Sequence, residues 1–162
     1  MSLANHHYTM LHEGSAIADA VIKARGYQSL PQPEDLIDRG FSKAQAKAAP
    51  ALGIPLWDVH GQQNGWQIRP DSPRVTKLGK VIKYENRTGG RVSLDVHPSM
   101  QSLLGDPTVS LWITEGVKKG DALASQGACA IALMGGVWGF RGTNEHGGKV
   151  ILLDWGSSRK RG

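Results

Sequence analysis

The sequence predicts an α/β protein made of a helical N-terminus, a β-rich basic middle and a parallel-sheet unit. Three observations carry this. Helix punctuation, meaning apolar stripes with caps and glycine stops, is confined to the first fifty or so residues. From Ile54 the pattern changes to short extended runs separated by glycine and asparagine. From Val109 onward a strand, a helix and a strand alternate, which calls for parallel strands joined by a crossover helix. The expected division is 1–53 helical, 54–98 β-rich and basic, and 108–162 a partial parallel-sheet domain.

Taken in order, Gly14 to Ala24 reads as an amphipathic helix with Ile17, Val21 and Ala24 on one stripe and Gly26 as its stop. Pro33 suits a first helical position, Glu34 and Asp35 suit the positive end of the helix, and Gly40 terminates the segment. Ser42 and Gln45 form a capping box, and Phe41 staples onto Ala46, so Lys43 to Ala49 is a third helix ended by Pro50. Leu56 to His60 and Trp66 to Arg69 read as strands around the loop Gly61-Gln62-Gln63-Asn64-Gly65. Lys80 to Tyr84 and Val92 to Val96 read as a second hairpin around Thr88-Gly89-Gly90. Ser99 to Pro107 is a connection. Val109 to Ile113 (strand), Val117 to Gln126 (helix), Gly127 (stop) and Cys129 to Met134 (strand) follow, with a turn at Gly135-Gly136 and an apolar run from Val150 to Leu153.

Composition bounds the function classes. The chain has 162 residues, 40% of them hydrophobic, which is enough for a buried interior. It contains no apolar run long enough to span a membrane and no export signal, so the cytoplasm is the expected compartment and a membrane partner is not. One cysteine, Cys129, excludes an intramolecular disulfide and a zinc ribbon, and it reads as an inert core residue. The six histidines lack the spacing of a ligand set, so no structural metal is assigned. The net charge of +5 is concentrated: between positions 69 and 91 lie Arg69, Arg74, Lys77, Lys80, Lys83, Arg87 and Arg91 against only Asp71 and Glu85. Such a surplus attracts a polyanion, although a charge run is also what an ordinary solvated face looks like.

In a parallel sheet, functional residues gather at the C-terminal ends of the strands, here Thr114-Glu115-Gly116 and Gly135-Gly136. Glu115 should project from such a strand end toward an open, cation-lined cleft. Lys118 and Lys119 fall in the first turn of the next helix, where the helix dipole disfavours each by about 0.3–1 kcal/mol. A phosphate docked at this helix start would relieve the conflict. Of the tryptophans, Trp138, just after the glycine pair and with Arg141 nearby, is the best placed to stack on a base.

These residues carry a resemblance. Ile113-Thr114-Glu115-Gly116, the helix ending Ala124-Ser125-Gln126-Gly127, and Ala130-Ile131-Ala132-Leu133-Met134-Gly135-Gly136 look like the opening half of a Toprim domain as found in bacterial-type DNA primases. Upstream, Ile54-Pro55-Leu56-Trp57-Asp58-Val59-His60-Gly61, Gly65-Trp66-Gln67-Ile68-Arg69 and Lys83-Tyr84-Glu85-Asn86 resemble the N-terminal subdomain of the primase core in order and spacing. The stretch Ile113 to Gly139 is similar to an uncharacterised Toprim-related family of phage, plasmid and integrated-element primases, often found beside a helicase. The resemblance covers roughly residues 50–155. It implies a primase-like replication protein of a mobile element, with Mg²⁺-dependent nucleotidyl or phosphoryl transfer. Single-stranded template DNA, nucleoside triphosphates and a replicative helicase are the implied partners. It also implies that Glu115 is the catalytic acid or base, or a metal ligand, and that Arg69, Lys83 and Tyr84 face template or nucleotide. Lys118 and Lys119, with Gly116, Gly135, Gly136, Trp138 and Arg141 around them, would meet phosphate and base.

The pattern departs in one respect: no Asp-x-Asp pair follows Glu115. Either Val150 to Asp154 is the metal-binding strand, with Asp154 a surviving first ligand and Gly156 in place of the second, or Leu153-Asp154-Trp155 belongs to the linker before that strand and the chain stops short of it. The second is preferred, because the narrower family has a similar Asp-Trp step ahead of its metal strand. Two rival functions remain: a non-catalytic nucleic-acid-binding module, and a Toprim-type nuclease that attacks with water.

Overall fold

The structure, a computed structural model, describes residues 3–90, 93–134, 141–143 and 148–151, apart from the side chains of 141–143, 149 and 151. The chain opens with helix α1 (Asn5–Ser15), which the sequence reading missed because only His7 and Leu11 of it are buried and no apolar stripe announces it. The helix expected over Gly14 to Ala24 is instead the end of α1, a break, and α2 (Asp19–Arg25). At the break Ala16 takes a left-handed conformation (φ 53°) and the Ile17 N–H bonds back to the Leu11 carbonyl at 3.2 Å, which sends the Ile17 side chain inward. The apolar stripe is real, but Ile17 reaches the core from a turn. Gly26 (φ 82°) ends α2 as expected. Helices α3 (Pro33–Ile37) and α4 (Lys43–Ala46) follow, the latter with the Ser42–Gln45 capping box and with Phe41 and Ala46 buried together.

Four strands form an antiparallel sheet: β1 (Gln28–Leu30), β2 (Ala51–Trp57), β3 (Gln63–Pro70) and β4 (Glu85–Asn86), in that spatial order. Strand β1 is too short to show a pattern in the sequence, and β2 starts at Ala51 rather than after Ile54. The β2–β3 turn is organised by Asp58, whose carboxylate accepts the His60 and Gln62 N–H groups at 2.9 and 3.0 Å. The hairpin expected from Lys80–Tyr84 and Val92–Val96 does not form among the described residues. Residues 80–84 contribute an isolated bridge between Val75 and Val81, β4 pairs with β3, and β5 (Leu94–Val96) joins the second sheet. The side chains of Lys77, Leu78 and Lys80 in this segment face solvent, so there was no buried face to hold it in register.

A 3-10 turn (Pro98–Leu103) leads into β6 (Leu111–Glu115), α5 (Val117–Ser125) and β7 (Cys129–Leu133). Strands β6 and β7 are parallel in the register Leu111–Cys129 to Glu115–Leu133, and β5 adds antiparallel to β7, giving the order β5-β7-β6. This is the α/β fold that the alternation called for. Strands β8 (Arg141–Thr143) and β9 (Lys149–Ile151) pair with each other, antiparallel, in a separate two-stranded sheet.

One hydrophobic cluster draws on all three expected regions: Leu11, Ile17 and Val21, then Leu52, Ile54 and Leu56, then Val117, Ile131 and Leu133. Inside it lies an ionic network centred on Arg25, which is fully buried. Its guanidinium donates to Asp121 through Nε (3.0 Å) and Nη2, and through Nη1 to Asp95 (2.7 Å) and the Pro55 carbonyl (3.3 Å). Tyr27 adds an O–H donor to Asp121 at 2.6 Å, and the Trp57 N–H donates to Asp95 at 2.9 Å. Burial works against the arginine's charge, but the two carboxylates outweigh it and hold the guanidinium firmly protonated. No helix among the described residues is long and apolar enough to cross a membrane.

Candidate functional site

Glu115 is the last residue of β6, and Gly116 is the N-cap of α5 with φ 80° and ψ 140°, a conformation that a side chain would strain. The turn therefore reverses sharply directly after the carboxylate. Gly120 faces the sheet at close range: a Cβ there would sit 3.4 Å from the Ala132 Cβ, in contact and with little room beyond it. Strand β6 lies at the edge of its sheet, and the Glu115 side chain is 60% exposed.

The carboxylate looks into a cleft of about 590 Å³. Gly116, Lys118 and Lys119 line it from the helix start, Tyr84 and Asn86 from the edge of the first sheet, and Ser15 from the end of α1. Lys119 Nζ donates to Glu115 Oε1 at 2.8 Å, and this bond and charge hold the carboxyl below the usual carboxylate range. Lys118 Nζ donates to Ser15 Oγ at 2.7 Å; burial, with the Arg69 charge adding to it, pushes this ammonium below its ordinary range. No side chain caps α5, so its first N–H groups and two lysines converge on the same opening. That is the arrangement expected around a phosphate.

The structure thus brings Glu115, Gly116, Lys118, Lys119 and Tyr84 to one cleft. Arg69 approaches from beside it, its guanidinium 6.0 Å from the Tyr84 ring centroid. Burial raises the Tyr84 hydroxyl above its ordinary range, against the pull of Arg69. Lys83 is exposed on the preceding segment and does not line the cleft. Gly135, Gly136, Trp138 and Asp154 lie outside the described residues, as does the side chain of Arg141. Cys129 is fully buried.

Sequence reasoning missed Gln67, Asn86 and Ser15. Gln67 and Asn86 sit opposite each other in the β3–β4 register, Gln67 Nε2 donating to Asn86 Oδ1 at 3.0 Å, and both line the cleft. The available signal was slight: a glutamine between Trp66 and Ile68 in a strand that also carries Gln63, Asn64 and Arg69. A second grouping was also missed: His6, His7 and Asp71 converge, although the histidine spacing alone showed no ligand set.

The cleft's fit to Mg²⁺ is limited. Among the described residues lining it, Glu115 is the sole carboxylate, and it is already paired with Lys119. One ion-paired carboxylate is not by itself a site for an octahedral hard cation.

Comparison with known proteins finds similarity to a family model and to solved structures. A family model described as a domain of unknown function (DUF3854) matches residues 100–154, which include Glu115 and the β6-α5-β7 unit. No curated protein matches the chain. Among solved structures, the crystal structure of the Aquifex aeolicus primase (zinc-binding and RNA polymerase domains) is similar at a TM-score of 0.60 and 16% sequence identity, over 82% of this chain and 38% of that one. The chain therefore spans well under half of that structure's length, and what it shares with the primase is an α/β fold.

Proposed function

We propose that this is a primase-like protein that handles nucleic acid and nucleotides at the Glu115 cleft. The observation that carries the reading is the exposed carboxylate at a parallel strand end, facing Lys118, Lys119 and an uncapped helix start. Fold likeness to a primase supports it at the coarse level, and the Toprim-type reading of the Glu115-Gly116 turn refines it. In this reading Lys118 and Lys119 bind phosphate oxygens, Tyr84 and Arg69 meet base or backbone, and Glu115 positions or accepts the proton of an attacking hydroxyl. Lys119 keeps that carboxylate ionised, as proton acceptance requires. Magnesium belongs to the proposal as the counter-ion that accompanies nucleoside triphosphates, and a replicative helicase and a phage or plasmid setting as its context.

One observation favours the binding-only alternative: the described cleft supplies a single carboxylate, so recognition is better equipped than chemistry. The test is primer synthesis on single-stranded DNA with Mg²⁺ and nucleoside triphosphates. Product that falls by about 100-fold or more in Glu115→Gln, with DNA affinity retained, supports nucleotidyl transfer. Salt-sensitive DNA binding without product or cleavage supports the binding module, and Mg²⁺-dependent cleavage supports the nuclease.

A further inference from the structure

We propose that His6, His7 and Asp71 form a binding site for a divalent transition-metal ion of the zinc class, joining α1 to the end of β3. The three side chains each offer one ligand atom, and these atoms all lie within 4.8 Å of one another. His6 Nε2 is 3.1 Å from Asp71 Oδ2, and His7 Nε2 is 2.8 Å from Asp71 Oδ1. Bonds of about 2.0–2.2 Å to a tetrahedral ion place ligand atoms roughly 3.3 Å apart, so small side-chain rotations complete the geometry. Two imidazoles with one carboxylate are a borderline-soft set that suits zinc, cobalt or iron better than magnesium.

The surroundings are those of a built site. His7 is 3% exposed, and its other ring nitrogen, Nδ1, lies 2.7 Å from Ser29 Oγ on β1. Ser29 Oγ already accepts the Ala4 N–H at 2.7 Å. When it also accepts from His7 Nδ1, the Nε2 lone pair is turned toward the Asp71 carboxylate, and a shared proton or a metal ion between them reconciles the two. His6 has a side chain 62% exposed, so the remaining coordination position opens to solvent for water or an anion. With the opposite tautomer the same distances make a hydrogen-bonded network that needs no ion.

The test is titration of Co²⁺, a spectroscopic stand-in for Zn²⁺, into the full chain carrying no affinity tag, followed by its visible absorption and by competition with Zn²⁺. Binding of one equivalent, displaced by Zn²⁺, is expected. Affinity should fall at least ~10-fold in His6→Ala and in Asp71→Asn, and ~10–100-fold in Ser29→Ala, which removes the supporting contact to His7 together with the acceptor of the Ala4 N–H. His60→Ala, an exposed histidine elsewhere, should leave the titration unchanged. His6 is exposed enough that its variant keeps the fold, so it decides the matter if Asp71→Asn does not. Absence of stoichiometric binding, or binding that His6→Ala leaves intact, overturns the site. Either result is independent of DNA binding at the Glu115 cleft.

Discussion

At the scale of single residues, His97 shows how local bonding fixes a protonation state. Its Nδ1 accepts the Ser99 N–H at 3.1 Å, so Nε2 carries the hydrogen and donates to the Val21 carbonyl at 3.0 Å. Both nitrogens are used by the neutral ring. A proton on Nδ1 would displace the Ser99 bond, and burial pushes the imidazole below its ordinary range while Asp121 and Arg25 act on it in opposite senses. Because the folded value is lowered, the unfolded chain takes the proton first, so this contribution is present above about pH 6.5 and is lost as pH falls through the folded value. Urea midpoints should therefore drop between pH 7.5 and 5.5, and His97→Gln should flatten that dependence. An unchanged slope in the variant would show that the ring does not titrate across unfolding. The bonding at His97 was not legible in the sequence, since its partner Val21 lies 76 positions away. Glu115 was legible, because an apolar strand, a glycine and a helix bracket it within a few residues.

At the scale of elements, the β6-α5-β7 unit was read with its helix and second strand right to within one residue and its first strand two residues early, whereas the segment between β3 and β5 was not. The difference is burial. Strand β7 is buried at every position from Cys129 to Leu133, and α5 buries Val117, Gly120, Asp121 and Ala124 on one face, so tertiary packing agrees with the local pattern. Around Lys77 and Lys80 nothing is buried, and β-forming residues such as Val75 and Val81, 61% and 46% exposed, make only a bridge. Gly120 offers the clearest test of how α5 is held. Its missing side chain lets the helix approach Ala132 and Thr114, so Gly120→Val should cost about 1–3 kcal/mol by overpacking, less any gain in helix propensity. It should also shift the Glu115 turn and weaken the nucleotide binding proposed for the cleft. Denaturant unfolding beside a nucleotide-binding titration checks both, and a stable variant with unaltered binding would mean the helix has room to spare.

At the scale of the whole molecule, the regions that composition separated share one interior. Arg25 sits on α2, Asp95 on β5 and Asp121 on α5, and the two carboxylates depend on a cation supplied from the N-terminal helices. Burial raises the Asp95 carboxyl above its ordinary range even with Arg25 beside it, a measure of how poorly that acid would fare without it. Arg25→Met leaves two acids facing each other in a dry interior and should cost about 3–5 kcal/mol, read as a lowered urea midpoint. A loss under 1 kcal/mol would show that water reaches the network. None of this was foreseeable from sequence, because Arg25 falls there just past the expected helix, between Ala24 and Gly26, as an ordinary cation. The placement has a practical corollary for anyone trimming or grafting this chain. A fragment beginning after residue 53 would carry orphaned acids at its centre, and an N-terminal piece alone would carry a stranded guanidinium, so each half acts as the other's missing counter-ion.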